Sequence, residues 1–299
     1  MKKFNIKKIL VPTDFSETAA NALRQAIFVA KSKNASIKLL HVIHQVYITG
    51  SELTVPYGPA FFNKLQKTAT AHLKEMAAEI TKTSGVPISY EVLMGEVETI
   101  VNTIAKKEKF DLIIMGTHGT SGVKEFFIGS NAYKVVHNAT CPVITIQKKI
   151  KGGFKNIILP IRLEIASRQK VDYAMEIAKV FGSTIHITGF TTLNDKASKT
   201  KVKQYVHQVE KYLKDNGVKY TSTSIFADNF IAEILKYAKQ QKADLLTIMN
   251  DNDLSLDQLI KGPYAKQLIN HSNIPVLSVP LSIETDLSFY PYLSGQLPA

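Results

Sequence analysis

MGTHGTSGVKEFFIGSNAYK, residues 115–134, is the stretch that decides how this chain reads. It sets Gly116, Gly119, Gly129 and Ser130 in a Gly-x2-Gly-x9-Gly-Ser array, directly after the apolar run Asp111-Leu112-Ile113-Ile114-Met115. With Gly122, four of the chain's 15 glycines fall here, a density that points to a backbone device rather than a packed element. A buried strand, a glycine-rich loop and a helix together form a phosphate-binding arrangement. Glycines let the backbone approach an anion and take φ > 0, while a helix N-terminus offers unpaired N–H groups and the positive end of a dipole. The helix is expected over Asn131–Asn138, capped by Ser130, with Ala132, Val135, Val136 and Ala139 at helical spacing. A glycine-rich connection that binds nothing is the competing reading, and the strand before and helix after argue against it. The chain contains neither Gly-x4-Gly-Lys-Ser/Thr nor Gly-x-Gly-x2-Gly. P-loop and Rossmann dinucleotide readings therefore lack their fingerprints.

The bulk properties leave room for two ordinary domains. The 299 residues are 45% hydrophobic and 21% charged, as in a soluble globular protein. No apolar run approaches the roughly 20 residues that cross a bilayer. The start is basic, but only Ile9-Leu10-Val11 follows before Pro12, too short for a signal-peptide core. Cys141 is the single cysteine, so no intramolecular disulfide forms, and beside Pro142 it reads as buried and inert. A reducing cytoplasm is the expected setting. The net charge of +12 is spread over both halves: residues 1–149 hold 19 Lys/Arg against 11 Asp/Glu, and residues 150–299 hold 18 against 14. Arginine occurs only at Arg24, Arg162 and Arg168, so a nucleic-acid partner is not expected. A general attraction for anionic ligands is the safer inference.

The two halves repeat one another. Lys8-Ile9-Leu10-Val11-Pro12 returns as Asn156-Ile157-Ile158-Leu159-Pro160, an offset of 148. Ala26, Ala30 and Ile37 return as Ala174, Ala178 and Ile185. At an offset of 133, Ala105 and Asp111 return as Ala238 and Asp244, and Cys141-Pro142-Val143 as Ile274-Pro275-Val276. The offset falls because the first half has a longer middle loop, from about Gln45 to Phe62. Each half reads β-α-β-α-β-α-β-α-β. In the first, strands are expected at Ile9–Pro12, Ser36–Ile43, Ile88–Leu93, Asp111–Met115 and Val143–Ile146. Between them lie helix faces such as Phe62, Leu65, Ala69, Leu73, Met76 and Ile80. Apolar strands alternating with amphipathic helices make an α/β fold with a parallel sheet covered on both faces. Residues 148–154, with Gly152-Gly153, form the linker.

The glycine array, with Val11-Pro12-Thr13-Asp14, His41-Val42-Ile43 and Cys141-Pro142-Val143 at three strands, resembles the universal stress protein family. More closely, it is similar to a tandem member with two such domains. The resemblance implies two doubly wound five-stranded parallel-sheet domains, Rossmann-like and adenine nucleotide alpha hydrolase-like. They would span 1–149 and 155–282, followed by a C-terminal tail at 283–299. It also implies ATP in the first domain, with Mg²⁺ accompanying the triphosphate. By position, Asp14 would hydrogen-bond the adenine and the Val42 backbone would help read its edge. Gly116 would lie near the ribose. Gly119, Gly129, Ser130 and the Asn131 amide would hold the phosphates. Pro12, Thr13 and Met115 complete the cofactor-binding set. The chain departs from the family pattern at Thr120, where many members carry a basic residue, and at Asn131, where many carry an apolar one.

The second half has Arg162 in place of Asp14, with Asn250 and Asp253 read in place of Gly116 and Gly119. Gly262 survives but is followed by Pro263-Tyr264, and Pro263 removes a backbone donor. Asp251, Asp253 and Asp257 would repel a triphosphate. The acidic run 250–253 lacks the glycine and terminal Glu of a calcium loop and reads as solvated. This half is expected to be a structural partner without ATP. The resemblance further implies that the halves pair within the chain through their last strands, Val143–Ile146 and Val276–Val279, with a homodimer as a further option. Three functions stand open: an ATP-binding stress-response regulator or sensor acting on partner proteins, a slow ATPase, and a scaffold without nucleotide. No catalytic residue and no metal ligand set is assigned; His118, His41 and His44 lack carboxylate companions.

Overall fold

The computed structural model describes residues 4–44, 59–117, 129–148, 150, 152–250, 267–269 and 272–281. These residues fall into two compact units. Residues 6–141 form the first; residues 142–281, with 4 and 5, form the second.

The first unit is built on four parallel strands in the order β3-β2-β1-β4: β1 Lys8–Pro12, β2 Ser36–Ile43, β3 Ile88–Met94 and β4 Leu112–Gly116. The registers Ile9↔Ile37, Ile37↔Ile88 and Ile9↔Leu112 bring the apolar runs level. Ile9, Leu10, Val11, Leu39, Leu112, Ile113 and Ile114 are fully buried, as a sheet covered on both faces requires. Helix α1 (Glu17–Lys33) buries a face of small residues, among them Ala19, Ala22, Ala26 and Ala30. It starts at an N-cap, Ser16, whose Oγ accepts from the Ala19 N–H at 3.2 Å, and ends at Asn34 in the left-handed region. Helix α2 (Pro59–Ser84) buries Ala69, Leu73 and Ala77. Leu65, expected in its core face, is 38% exposed, because it lines an open cleft between α2 and the end of β2. Helices α3 (Val97–Lys107) and α4 (Ser130–Asn138) pack on each other.

The second unit repeats this plan: β6 Asn156–Ile161, α5 Val171–Phe181, β7 Thr184–Thr191, α6 Lys196–Asp215, β8 Lys219–Phe226, α7 Phe230–Gln240, β9 Leu245–Asn250 and β10 Val276–Pro280. Its parallel strands run β8-β7-β6-β9-β10. Strand β5 (Val143–Ile146), the last strand of the first repeat, belongs to this unit and lies antiparallel on β10, with Ile144 opposite Leu277. The Gln147 amide donates to the Ile269 carbonyl at 3.3 Å beside it. Among the described residues no helix is long and apolar enough to cross a membrane.

The repeat is visible bond by bond. Asp111 Oδ2 accepts from the N–H groups of Lys7 and Lys8 at 2.8 and 2.9 Å, holding the start of β1. Asp244 does the same for β6, accepting from Lys155 and Asn156 at 2.8 and 2.9 Å. The turn Phe110 N–H to Ala105 carbonyl returns as Ala243 to Ala238, both at 2.9 Å. The aspartates matched by sequence therefore matter because each satisfies two backbone donors at the amino edge of a central strand. Burial pushes the Asp244 carboxyl up, against the lowering effect of those N–H bonds.

Asp111→Ala and Asp244→Ala, which strand two donors each, are expected to lose about 2 kcal/mol in urea unfolding, and the Asn variants less. Because the folded Asp244 carboxyl titrates above its ordinary 3.8, its own contribution to stability falls as pH rises from that value through the raised one. The deficit of Asp244→Asn relative to the parent should shrink over the same window.

Candidate functional site

The chain leaves β1 toward β2 on one side and returns at β4 on the other, so a crevice is expected beyond the carboxyl ends of β1 and β4. Pro12 helps to open it. The Thr13 N–H donates to the Leu40 carbonyl at 2.9 Å, so residues 11 and 13 bond toward β2, and Pro12 faces β4 with no N–H to give. The β1–β4 register accordingly consists of Ile9↔Leu112 and Leu10↔Ile113. Pro160 stands at the same place in β6, where pairing with β9 is again two rows.

Beyond Pro12 the loop turns sharply. The Phe15 N–H donates to Thr13 Oγ1 at 3.1 Å, and the Ser16 N–H to Asp14 Oδ1 at 3.0 Å. The Thr13 carbonyl accepts from His41 Nδ1 at 2.8 Å, which fixes the proton on Nδ1. Val42 has the same parity as Leu40, so its backbone groups point toward the β1 side, one step past the end of that strand. Phe15 holds φ at +64°, a left-handed conformation that costs a bulky residue about 1–3 kcal/mol. Its ring stacks on His72 of α2 (centroids 4.5 Å, 13° between planes) and tilts against His41 at 4.6 Å. Phe15, His41, Val42, Ile43, His44, Leu65, Thr68, Ala69 and His72 line an open cleft of about 420 Å³.

On the β4 side, Met115 is buried and Gly116 half-buried at the end of the strand. A Cβ on Gly116 would stand 3.0 Å from the Ala19 nitrogen and the Thr18 carbonyl carbon, in the first turn of α1. Gly129 donates its N–H to the buried Thr117 carbonyl at 2.8 Å, and a Cβ there would lie 2.8 Å from that oxygen. Neither glycine has a positive φ: Gly129 sits at −56°. At these two positions the lack of a side chain, rather than freedom of φ, is what the fold needs. Ser130 is not the helix cap. Gly129 occupies the N-cap position of α4 without a side-chain cap, and Ser130 is the first helical residue. The first intrahelical bond is Tyr133 N–H to the Gly129 carbonyl at 3.1 Å, so the Ser130, Asn131 and Ala132 amides precede the ladder. Ser130 and Asn131 are exposed. Gly119, with His118, Thr120 and Gly122, lies outside the described residues. Among the described residues no group of three or more His, Cys, Asp or Glu is placed to hold a metal ion. Cys141 is buried, and burial, with a smaller effect from Asp111, pushes its thiol up to about 12.

Sequence reasoning named neither Phe15, His72 nor Thr117. No local pattern marks them: Phe15 is set by contacts with β2 and α2, and Thr117 acts through its carbonyl.

The second repeat keeps Pro160 at the place of Pro12 but differs at the places of Asp14 and Gly116. The registers Ile9↔Leu112 and Ile157↔Leu245 align Gly116 with Met249, not with Asn250 as expected from the sequence, and Met249 is buried. The helix after β6 begins at Val171, preceded by a 3-10 turn at Ile165–Arg168, where its counterpart α1 is already regular helix. Arg168 is 1% exposed; its guanidinium lies 3.9 Å from the Tyr205 ring centroid and donates to Gln208 at 2.8 Å. Burial lowers its pKa. At Gly189 a Cβ would stand 2.7 Å from methyls of Val202 and Val206, so α6 is packed directly onto β7. Asp253, Asp257, Gly262, Pro263 and the tail from 283 lie outside the described residues.

The model of the universal stress protein family matches residues 5–147 and again 153–280. The chain belongs to the universal stress protein family. Single-domain family members match one half of it. Universal stress protein YxiE of Bacillus subtilis is 35% identical over 149 residues, 47% of this chain and 98% of that protein. Universal stress protein MJ0531 of Methanocaldococcus jannaschii is 32% identical over 145 residues, 48% of this chain and 84% of that protein. A universal stress protein structure from Archaeoglobus fulgidus covers 94% of this chain and 98% of its own, with TM-score 0.72 and 20% identity, a likeness of fold. Two tandem domains of the family thus account for nearly the whole chain.

Gly129→Ala is expected to push α4 away from Thr117 and lower stability by about 1–3 kcal/mol in thermal or urea unfolding.

Proposed function

We propose that this universal stress protein binds ATP in its first repeat and acts as a stress-response regulator or sensor whose nucleotide state is read by partner proteins. One observation carries the reading: the helix N-terminus at Gly129-Ser130-Asn131 has no side-chain cap, and it follows the strand β4 that borders the crevice left open by Pro12. Unpaired amides and the positive end of a helix favour an anion there. The family resemblance supplies ATP as that anion, with Mg²⁺ on the triphosphate. Asp14 and the Val42 backbone serve the adenine, Gly116 the ribose, and Gly119, Gly129, Ser130 and Asn131 the phosphates, with Pro12, Thr13 and Met115 as walls.

The second repeat serves as structural partner. Met249 and the remodelled turn at Ile165–Arg168 support this, since both change the edge on which the first repeat would hold nucleotide. The domain division 1–149, 155–282 and tail 283–299 belongs to the same reading, as does an intramolecular pairing through the last strands, supported by β5 on β10. No described residue is placed as a general base at the phosphate end, so binding rather than turnover is the proposed activity.

Calorimetric titration with ATP and Mg²⁺ is expected to give one site per chain. Asn131→Asp adds a negative charge at the α4 N-terminus, which favours the helix and repels phosphate, so ATP should weaken about tenfold with stability kept or raised. Gly119→Arg should also remove ATP. Absence of heat, of thermal stabilisation and of co-purified nucleotide in the parent protein would leave the scaffold reading.

A further inference from the structure

We propose that the stack His41–Phe15–His72 is the device that aims the base-reading loop, and that His72 is a positioning residue for the nucleotide. For its ligand the proposal rests on the ATP reading above. Phe15 stands between Asp14 and Ser16 with φ at +64°, and a bulky side chain does not stay in that basin unaided. Here it is held on two sides, by His72 from α2 at 4.5 Å and by His41 from β2 at 4.6 Å. His41 also grips the Thr13 carbonyl, so the same ring fixes the backbone on the other side of Asp14. The loop has no glycine between Pro12 and Ser16 to adopt the turn for free.

The consequence for Asp14 follows from its bond. Its Oδ1 accepts from the Ser16 N–H at 3.0 Å, a turn whose shape here is set by the reversed Phe15. Release of the ring lets Phe15 relax to negative φ, which moves the Ser16 N–H and with it the carboxylate that this bond helps to orient. The exposed His72 therefore acts on the base through Phe15, without contact with phosphate. A stack of this kind is broken at low cost to the core, because His72 lies on the solvent side of α2, next to the buried Leu73.

The test uses the full-length chain and two readouts: hydrogen exchange of the Ser16 amide by NMR without nucleotide, and titration with ATP and with inorganic tripolyphosphate. His72→Ala is expected to speed Ser16 exchange about tenfold and weaken ATP about fivefold, the scale of one ring contact. Tripolyphosphate affinity should not change. His72→Phe, which keeps a ring, should restore both values. Phe15→Gly, which removes the strain together with the ring, should bind ATP as weakly as Phe15→Ala. Unchanged Ser16 exchange in His72→Ala overturns the proposal. So does ATP binding by Phe15→Gly at the parent's strength, since φ alone would then be what the loop needs. Equal losses for ATP and tripolyphosphate also overturn it, as a general structural defect. A parent protein that takes no ATP sinks the nucleotide reading by itself, and the Ser16 exchange still decides whether the stack holds the loop.

Discussion

Strand β1 ends at Pro12 while its neighbour β2 runs on to Ile43, and the carboxyl edge of the first repeat depends on how that mismatch is resolved. A parallel ladder cannot stop on one side without leaving donors and acceptors on the other. Each is placed here by a specific group. Leu40 bonds Thr13, the Thr13 carbonyl turns to His41, the Phe15 amide turns to Thr13 Oγ1, and Val42 is left at the rim. Toward β4, Pro12 ends the ladder by having nothing to donate. The crevice is thus a product of where hydrogen bonding stops rather than of any single binding residue.

The two repeats share what lies at the amino edge and differ at the carboxyl edge. Asp111 and Asp244 make the same pair of bonds, and the turns before β4 and β9 close with the same distances. These interactions hold the sheet and cannot be exchanged without leaving two backbone donors of a central strand without that partner. At the other end the ladders stop, and there the two repeats diverge. Met249 stands at the place of Gly116 and is buried, the first turn of the following helix becomes 3-10, and Arg168 turns in against Tyr205. A guanidinium so buried, with a ring and an amide oxygen as its described partners, stays charged at a cost, consistent with its lowered pKa.

Much of this was legible in the sequence because it is periodic. Ile9–Pro12, Ser36–Ile43 and Val143–Ile146 are apolar runs bounded by turn residues, and the strands stand within a residue of those limits. The duplicated Ile-Leu-Val-Pro and Asp signals came through because they serve the sheet. What failed was local and geometric. Ser130 reads as a cap by its type, yet Gly129 takes that position because its nitrogen is tied to Thr117. Asn250 reads as the match of Gly116 by position in the sequence, and strand register moves the match to Met249. The left-handed Phe15 could not be read at all. Nothing in Asp14-Phe15-Ser16 requires it, and its conformation is decided by rings on β2 and α2.

That last case indicates how a conserved framework carries a variable site. Glycine at position 15 would make the turn without strain, but it would also remove the ring by which β2 and α2 hold the reversal beside Asp14. An aromatic residue disfavours the turn by itself and therefore adopts it only when neighbouring elements are in position. The loop's shape becomes conditional on β2 and α2, and the carboxylate it carries inherits that condition. In the second repeat the residue matching Phe15 is Leu163, and the return of Gly85-Val86 as Gly217-Val218 puts Gln204 at the place of His72. With a leucine in place of the ring that stack cannot form; at Gly189 α6 packs directly onto β7, whereas the first repeat opens a cleft beside Phe15.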